Sequence, residues 1–524
     1  MVIKNYLAPV GVRLGLGLAI LLSIVISLFA AEIVVSNLKV KKSNSVQNQI
    51  IDDYLGGTTE IETEFRKAGI TSQTYNIYYF GESTMEGAPY YDTIPRLVDQ
   101  ALQNRVSGQE LKWLNFAKSG ADFSQTVEKI NFLIENQQLY QPSLVVIYAG
   151  HNQFLKYHSD VGFYVSKSYP DFMNFLLKKS QLVELLAENF KIYNLEIDDR
   201  KYFDAPLFPI EKYDQEATEY NQQLSLITSK LKQHNIPVIV STQIANYADF
   251  EPNRSVYCQD ETSKTRFTDL MTNAAQIESQ GQIEAATALY LEALNLCAEF
   301  AETHYLLGKT YQKLGQFELA WNQFKQAVDL DRMPLRAFSS QNNHILTLAD
   351  DKLVQVIDSE ALLRAKSETG LIGYNFMVDG HHPNVAGYLE ISNLLAKTIQ
   401  NLDPETILYQ PVKLVEAQKL LIPTPNVNND ILIDRAEWLI RISTWRFDSA
   451  QRLKRADEYL DLVSGDKIQQ ARKYLNKMTI MSLKKDSASA QDFYLKAKTY
   501  DLATSENYIN NNPWIKKILV RSQE

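Results

Sequence analysis

Residues 76–87 read Asn-Ile-Tyr-Tyr-Phe-Gly-Glu-Ser-Thr-Met-Glu-Gly. The first five are β-branched or aromatic apart from the leading Asn76, which is strand composition, and Gly81 stops the run. Residues 95–102 then carry helical spacing with Pro95 near the start. Ser83 therefore falls in the turn between a strand and a helix, where a hydroxyl projects from the sheet edge.

Working outward, residues 111–117 (LKWLNFA) give a second strand. A helix follows from Ser124, with Val127, Ile130 and Ile134 on one face. Residues 144–148 (LVVIY) give a third strand, apolar enough throughout to be buried on both faces. A helix over about 215–234 leads to a fourth strand at 236–240 (IPVIV). Strands separated by helices of this length imply right-handed βαβ units and a parallel sheet, an α/β body. Ligands bind such sheets at the carboxyl ends of the strands, so the chemistry is sought directly after Phe80, Ala117 and Tyr148.

All three places carry suitable groups. After the first strand stands Ser83. After the second, Asn115-Phe-Ala-Lys-Ser-Gly120 offers the Gly120 N–H, and after the third, Tyr148-Ala-Gly-His-Asn152 offers the Asn152 amide. Far downstream, Val378-Asp-Gly-His-His-Pro-Asn384 sets a carboxylate three residues before a histidine, in a chain that has only seven histidines. A serine hydroxyl needs an imidazole base, and the base needs a carboxylate to fix its tautomer. Ser83, His382 and Asp379 are the candidate catalytic residues. The Ser83 and Gly120 N–H groups with the Asn152 amide are the candidate oxyanion hole.

These segments, GEST, AKSG, AGHN and DGHHPN, resemble in their order the four blocks of the SGNH/GDSL hydrolases. The resemblance spans about residues 75–402. It implies a flavodoxin-like three-layer fold, no metal and no cofactor, and ester hydrolysis through an acyl-serine intermediate. Glu82 departs from the family's aspartate at that position, and its expected job is to shape the turn. His151, in GHNQ where GxND is commoner, and His381 beside the base are expected to be structural or substrate-contacting.

Two segments interrupt the sheet plan. Residues 155–214 are rich in aromatics and read as an inserted helical subdomain, with a substrate lid or membrane-contacting surface as alternatives. Further on, GQIEAATALYLEALNL from Gly281 overlays GQFELAWNQFKQAVDL from Gly315 at an offset of 34 residues. Ala286 falls on Ala320, Tyr290 on Phe324, Ala293 on Ala327 and Leu296 on Leu330. The pattern resembles the tetratricopeptide repeat, and two such units must pack on something else to be stable.

Residues 14–31, eighteen without a charge, are long enough to cross a bilayer and lack the small-residue cut site of a signal peptide. The expected organisation is a cytoplasmic flank (1–13), a transmembrane anchor (14–35), a juxtamembrane segment (36–70) and a hydrolase part (71–260). A repeat insertion (261–335), a second hydrolase part (336–403) and a C-terminal helical region without assigned function (404–524) follow. Cys258 and Cys297, the only cysteines, either pair or remain buried thiols.

Lys+Arg 53 against Asp+Glu 62, a net charge of −9, argues against nucleic acid as a partner. The expectation is a single-pass, extracytoplasmic serine esterase acting on O-acyl groups of polysaccharide or lipid. The alternatives are an O-acyltransferase with the same machinery and a scaffold that holds a protein partner on its repeats.

Overall fold

The computed structural model describes residues 73–157, 165–168, 194–197, 210–257, 261–350, 353–402, 409–443 and 450–511. Eight strands lie among them: β1 (Thr74–Gly81), β2 (Arg105–Val106), β3 (Gln109–Asn115), β4 (Leu144–Tyr148), β5 (Val165–Ser168), β6 (Asn194–Ile197), β7 (Val238–Ser241) and β8 (Val354–Ile357). β5 and β6 pair antiparallel and belong to a separate compact unit.

The other six strands make one sheet in the order β2-β3-β1-β4-β7-β8, parallel except for β2. Without the short β2 edge this is the flavodoxin-like order, which reverses direction at β1. β1 pairs with β3 on one side and β4 on the other, Ile77 lying opposite both Trp113 and Leu144. At its end the two central strands approach so closely that a Cβ on Gly81 would stand 2.1 Å from the Tyr148 carbonyl oxygen. Only glycine fits there, which explains the residue that stops the strand.

Alternation along β1 sends its side chains to two buried faces. Ile77 and Tyr79 join Leu144, Val146 and Tyr148 under the helices Thr93–Ala101 and Val385–Leu402. On the opposite face the helix Phe123–Glu135 packs on β1 and the helix Ile210–Gln233 on β7, their Phe123 and Tyr220 rings in contact. The result is the three-layer α/β sandwich expected from the strand and helix alternation.

β2 and β8 were not foreseen from sequence. Both are edge strands of two and four residues, too short to show periodicity, and their register comes from a neighbour. The apolar segment 14–35 lies outside the described residues, and the described part of the inserted segment 155–214, read as helical, includes the two strands β5 and β6, whose pairing joins residues too far apart to show in a local pattern. Among the described residues no helix is long and apolar enough to cross a membrane.

The 34-residue repeat is two helix pairs, Glu261–Ser279 with Ile283–Leu296 and Ala301–Lys313 with Phe317–Asp329. The second pair does not stand alone, since Trp321 and Phe324 enter the main core and the Tyr305 hydroxyl donates to the Ala248 carbonyl at 3.3 Å. Gly308 lies against Phe324, where an added Cβ would sit 2.6 Å from the ring. Alanine gains about 0.5–1 kcal/mol from helix propensity, whereas overpacking costs about 1–3 kcal/mol. Gly308→Ala should therefore lower the melting temperature, and a rise would show that the helices separate freely at this point. Cys297 is disulfide-bonded; its only possible partner within the chain, Cys258, lies outside the described residues.

The C-terminal part is helical, with Pro425–Ser443, Ala450–Asp461, Lys467–Leu483 and Ser487–Tyr500 packed in sequence.

Candidate active site

Ser83 opens the four-residue helix Ser83–Glu86 at the carboxyl end of β1. As the first helical residue its backbone N–H has no intrahelical acceptor. The hydroxyl Oγ lies 2.8 Å from Nε2 of His382, and Nδ1 of His382 lies 2.8 Å from Oδ2 of Asp379. All three residues are buried or nearly so. With Nδ1–H donated to the carboxylate, Nε2 presents its lone pair to the serine hydroxyl, the tautomer a general base requires.

Local chemistry shapes the loop that carries the base. Oδ1 of Asp379 accepts the backbone N–H groups of His381 at 3.0 Å and His382 at 2.8 Å. The Val378 N–H donates to the His382 carbonyl, and Met377 bridges Pro383, so the loop closes on itself before the helix Val385–Leu402 begins. From that helix the buried Tyr388 hydroxyl donates to the carbonyls of Thr84 (3.1 Å) and Ala88 (2.8 Å). One side chain thus ties the base-bearing helix to the serine turn across some three hundred residues of sequence.

Glu82 is fully buried, and its carboxylate accepts three backbone N–H groups, those of Gly150, His151 and Asn152, each at 2.9 Å. It shapes its own turn less than it clamps the loop after β4 to the serine. Burial pushes its carboxyl up to about 8 against the downward pull of these donors.

The loop after β3 is held in the same way. The Lys118 N–H donates to the Gly81 carbonyl, and Ser119 donates from its N–H and its hydroxyl to Glu86. Asn152 joins the two loops by giving one amide hydrogen to the Ala121 carbonyl at 2.9 Å, which fixes the side chain and leaves its second N–H. Gly120 sits at an exposed bend with φ of 78°. The structure therefore brings Ser83, His382 and Asp379 into direct contact and connects Asn152 to the neighbours of both Ser83 and Gly120.

His151 accepts the Ala337 N–H on Nδ1 at 3.0 Å, so a neutral ring carries its hydrogen on Nε2. Burial, then the neighbouring His382, pulls it down to about 3, and burial likewise lowers His381. Neither ring competes with His382 as a base.

Sequence reading missed Arg435, on the helix Pro425–Ser443. Its Nη1 donates to Asp379 Oδ2 at 2.9 Å. Burial would raise the Asp379 carboxyl, but His382 and Arg435 together hold it well below the usual carboxylate range. Asp379, His381 and His382 offer ligand atoms within 4.8 Å of one another. Yet both Asp379 oxygens already accept two donors each, and Arg435 stands where a cation would bind. The one sequence signal was a charge inside an apolar helical stripe, Ile431, Arg435, Trp438 and Ile442.

Residues 279–315 match the family model of the TPR repeat. No curated protein matches the chain significantly. Among solved structures the chain is similar to a GDSL-like lipase from Bacteroides thetaiotaomicron VPI-5482 (11% identity, 66% of this chain and 98% of that one, TM-score 0.28). It is similar also to a lipase from a goat rumen metagenome (13% identity, 62% of this chain and 97% of that one, TM-score 0.27). A third similar structure is an acetyl xylan esterase (12% identity, 62% of this chain and 98% of that one, TM-score 0.28).

Proposed function

We propose that the chain is a serine esterase of the SGNH type, cleaving O-acyl esters through an acyl-serine intermediate. The observation that carries this reading is the unbroken hydrogen-bonded line from Ser83 Oγ through His382 to Asp379, 2.8 Å at each step. His382 takes the hydroxyl proton at Nε2 as Ser83 Oγ attacks the carbonyl carbon, and Asp379 stabilises the imidazolium. The Ser83 and Gly120 N–H groups and the free Asn152 amide hydrogen receive the oxyanion. His382 returns the proton to the leaving alcohol. Water, deprotonated by the same nitrogen, then releases the acid and regenerates Ser83.

The working organisation is the hydrolase body of 71–260 and 336–403, the repeats of 261–335 within it, the helical region of 404–524 and an anchor at 14–35 that holds the body outside the cytoplasm. Two features support the location: the uncharged run of residues 14–31 and the disulfide at Cys297, a bond that persists in oxidising compartments. The substrates are then acyl groups on surface polysaccharide or lipid.

The full chain in detergent should take up a fluorophosphonate on Ser83, located by peptide mass mapping, and hydrolyse p-nitrophenyl acetate. Ser83→Ala should do neither. A folded protein with no label at Ser83 would sink the esterase reading and favour a binding role for the repeats.

A further inference from the structure

Resting on that reading, we propose that Arg435 is a positioning residue of the triad, so that the helix Pro425–Ser443 is part of the catalytic unit and sets a fixed positive charge beside the Asp379–His382 pair.

Arg435 makes two contacts at the aspartate end of the triad, 2.9 Å to Asp379 Oδ2 and 3.4 Å to His382 Nδ1. The second joins two donors, so it is a repulsive approach and not a hydrogen bond. Oδ2 accepts from His382 and Arg435 together, which fixes the carboxylate that orients the base. The guanidinium charge also opposes a second positive charge on the imidazole.

The C-terminal helices make further contacts around the triad. Trp438, one turn on, meets the His382 ring edge-on with centroids 6.4 Å apart. The Tyr459 hydroxyl donates to the Val378 carbonyl at 2.8 Å, next to Asp379. Arg452, fully buried, donates to the Ile442 and Glu251 carbonyls and stacks over Phe250, which lies against Gly380 in the base-bearing loop. The C-terminal region therefore reaches the base-bearing loop at Asp379, His382 and Val378.

The other ionisable groups near the base do not share this role. Ser83 faces Nε2, and His381 and His151 stack beside the ring. The phenols of Tyr90, Tyr388 and Tyr459 lie within electrostatic range of Asp379. Burial holds both histidines neutral and raises all three phenols. Arg435 is therefore the cation at Asp379 Oδ2.

The test compares Arg435→Gln, Arg435→Lys and Arg472→Gln in the full chain. Arg472 binds Asp434 and Glu437 of the same helix and does not touch the triad. Two readouts are taken, the pH profile of p-nitrophenyl acetate hydrolysis and the titration of the His382 ring by NMR on chain carrying 13C-labelled histidine. In Arg435→Gln the acid limb should move up, read as a roughly tenfold loss of kcat/KM below it, and the His382 midpoint should move with it. KM should stay within about twofold and Arg435→Lys should restore much of the shift, because the charge acts through Asp379 and not on substrate. Arg472→Gln should leave both midpoints where they are, even where it lowers the melting temperature. An unmoved His382 midpoint in a folded Arg435→Gln chain overturns the proposal. A moved midpoint in a chain that neither hydrolyses ester nor labels at Ser83 upholds the charge effect and overturns the esterase reading.

Discussion

Asp379→Asn is expected to lower kcat for p-nitrophenyl acetate by about 10⁴-fold while leaving the far-ultraviolet circular dichroism unchanged. The carboxylate accepts four hydrogens, two backbone N–H groups on Oδ1 and the His382 ring and Arg435 on Oδ2. With the Asn oxygen kept on the backbone donors, its amide nitrogen faces His382 Nδ1 and can only donate. The imidazole must then place its hydrogen on Nε2, which turns a donor toward the Ser83 hydroxyl and removes the acceptor that catalysis needs.

The same substitution should change how stability depends on pH. The Asp379 carboxyl is held well below its ordinary 3.8 in the folded chain, so its contribution is complete above that value and is lost as pH falls below it. Denaturant titrations between about pH 5 and pH 2 should show Asp379→Asn with a smaller acid loss than the parent chain. A drop in kcat of less than tenfold would mean that another group orients His382.

What could be read from the sequence divides by distance along the chain. The strand-to-helix turn at Ser83 was legible because its signals are local: a β-branched and aromatic run, a stopping glycine and a helical pattern behind it. The loops at Gly120 and Asn152 followed, since a parallel sheet gathers the carboxyl ends of its strands on one edge, although that β3 and β4 flank β1 came only from the fold. The Asp379 and His382 pair was legible by spacing. Its distance to Ser83 was not, because that rests on Tyr388 reaching the carbonyls of Thr84 and Ala88. Edge strands β2 and β8 left no periodic trace, as they take their register from β3 and β7. Arg435 was the larger omission. A cation on an apolar stripe announces a buried partner, but nothing in a helix names the carboxylate that it meets in another part of the chain.

Glu82→Ala is expected to cost about 3–5 kcal/mol of stability and about 100-fold in kcat. Glu82, one methylene longer than an aspartate, reaches across the sheet end to three successive N–H groups. Each buried N–H left without an acceptor costs about 1–3 kcal/mol, and single substitutions seldom exceed 4–5 kcal/mol in total. The catalytic loss follows because Asn152 is one of the three. Once its backbone is released, the side-chain amide is held only by the Ala121 carbonyl, and a displaced donor stabilises the oxyanion poorly. Glu82→Gln should fall between the parent and Glu82→Ala, since a protonated carboxyl still offers acceptor capacity on both oxygens whereas the NH2 group only donates and faces N–H donors. The sign of the pH effect is opposite to that of Asp379. Because burial pushes the Glu82 carboxyl up to about 8 from its ordinary 4.5, its contribution is complete below 4.5 and declines as pH rises toward 8. The parent chain should lose that stability between pH 5 and pH 8, and Glu82→Ala should show a flatter profile over the same range. A Glu82→Ala chain as stable as the parent at pH 7 would mean that the loop after β4 holds its conformation without the carboxylate. The clamp would then have no part in placing Asn152.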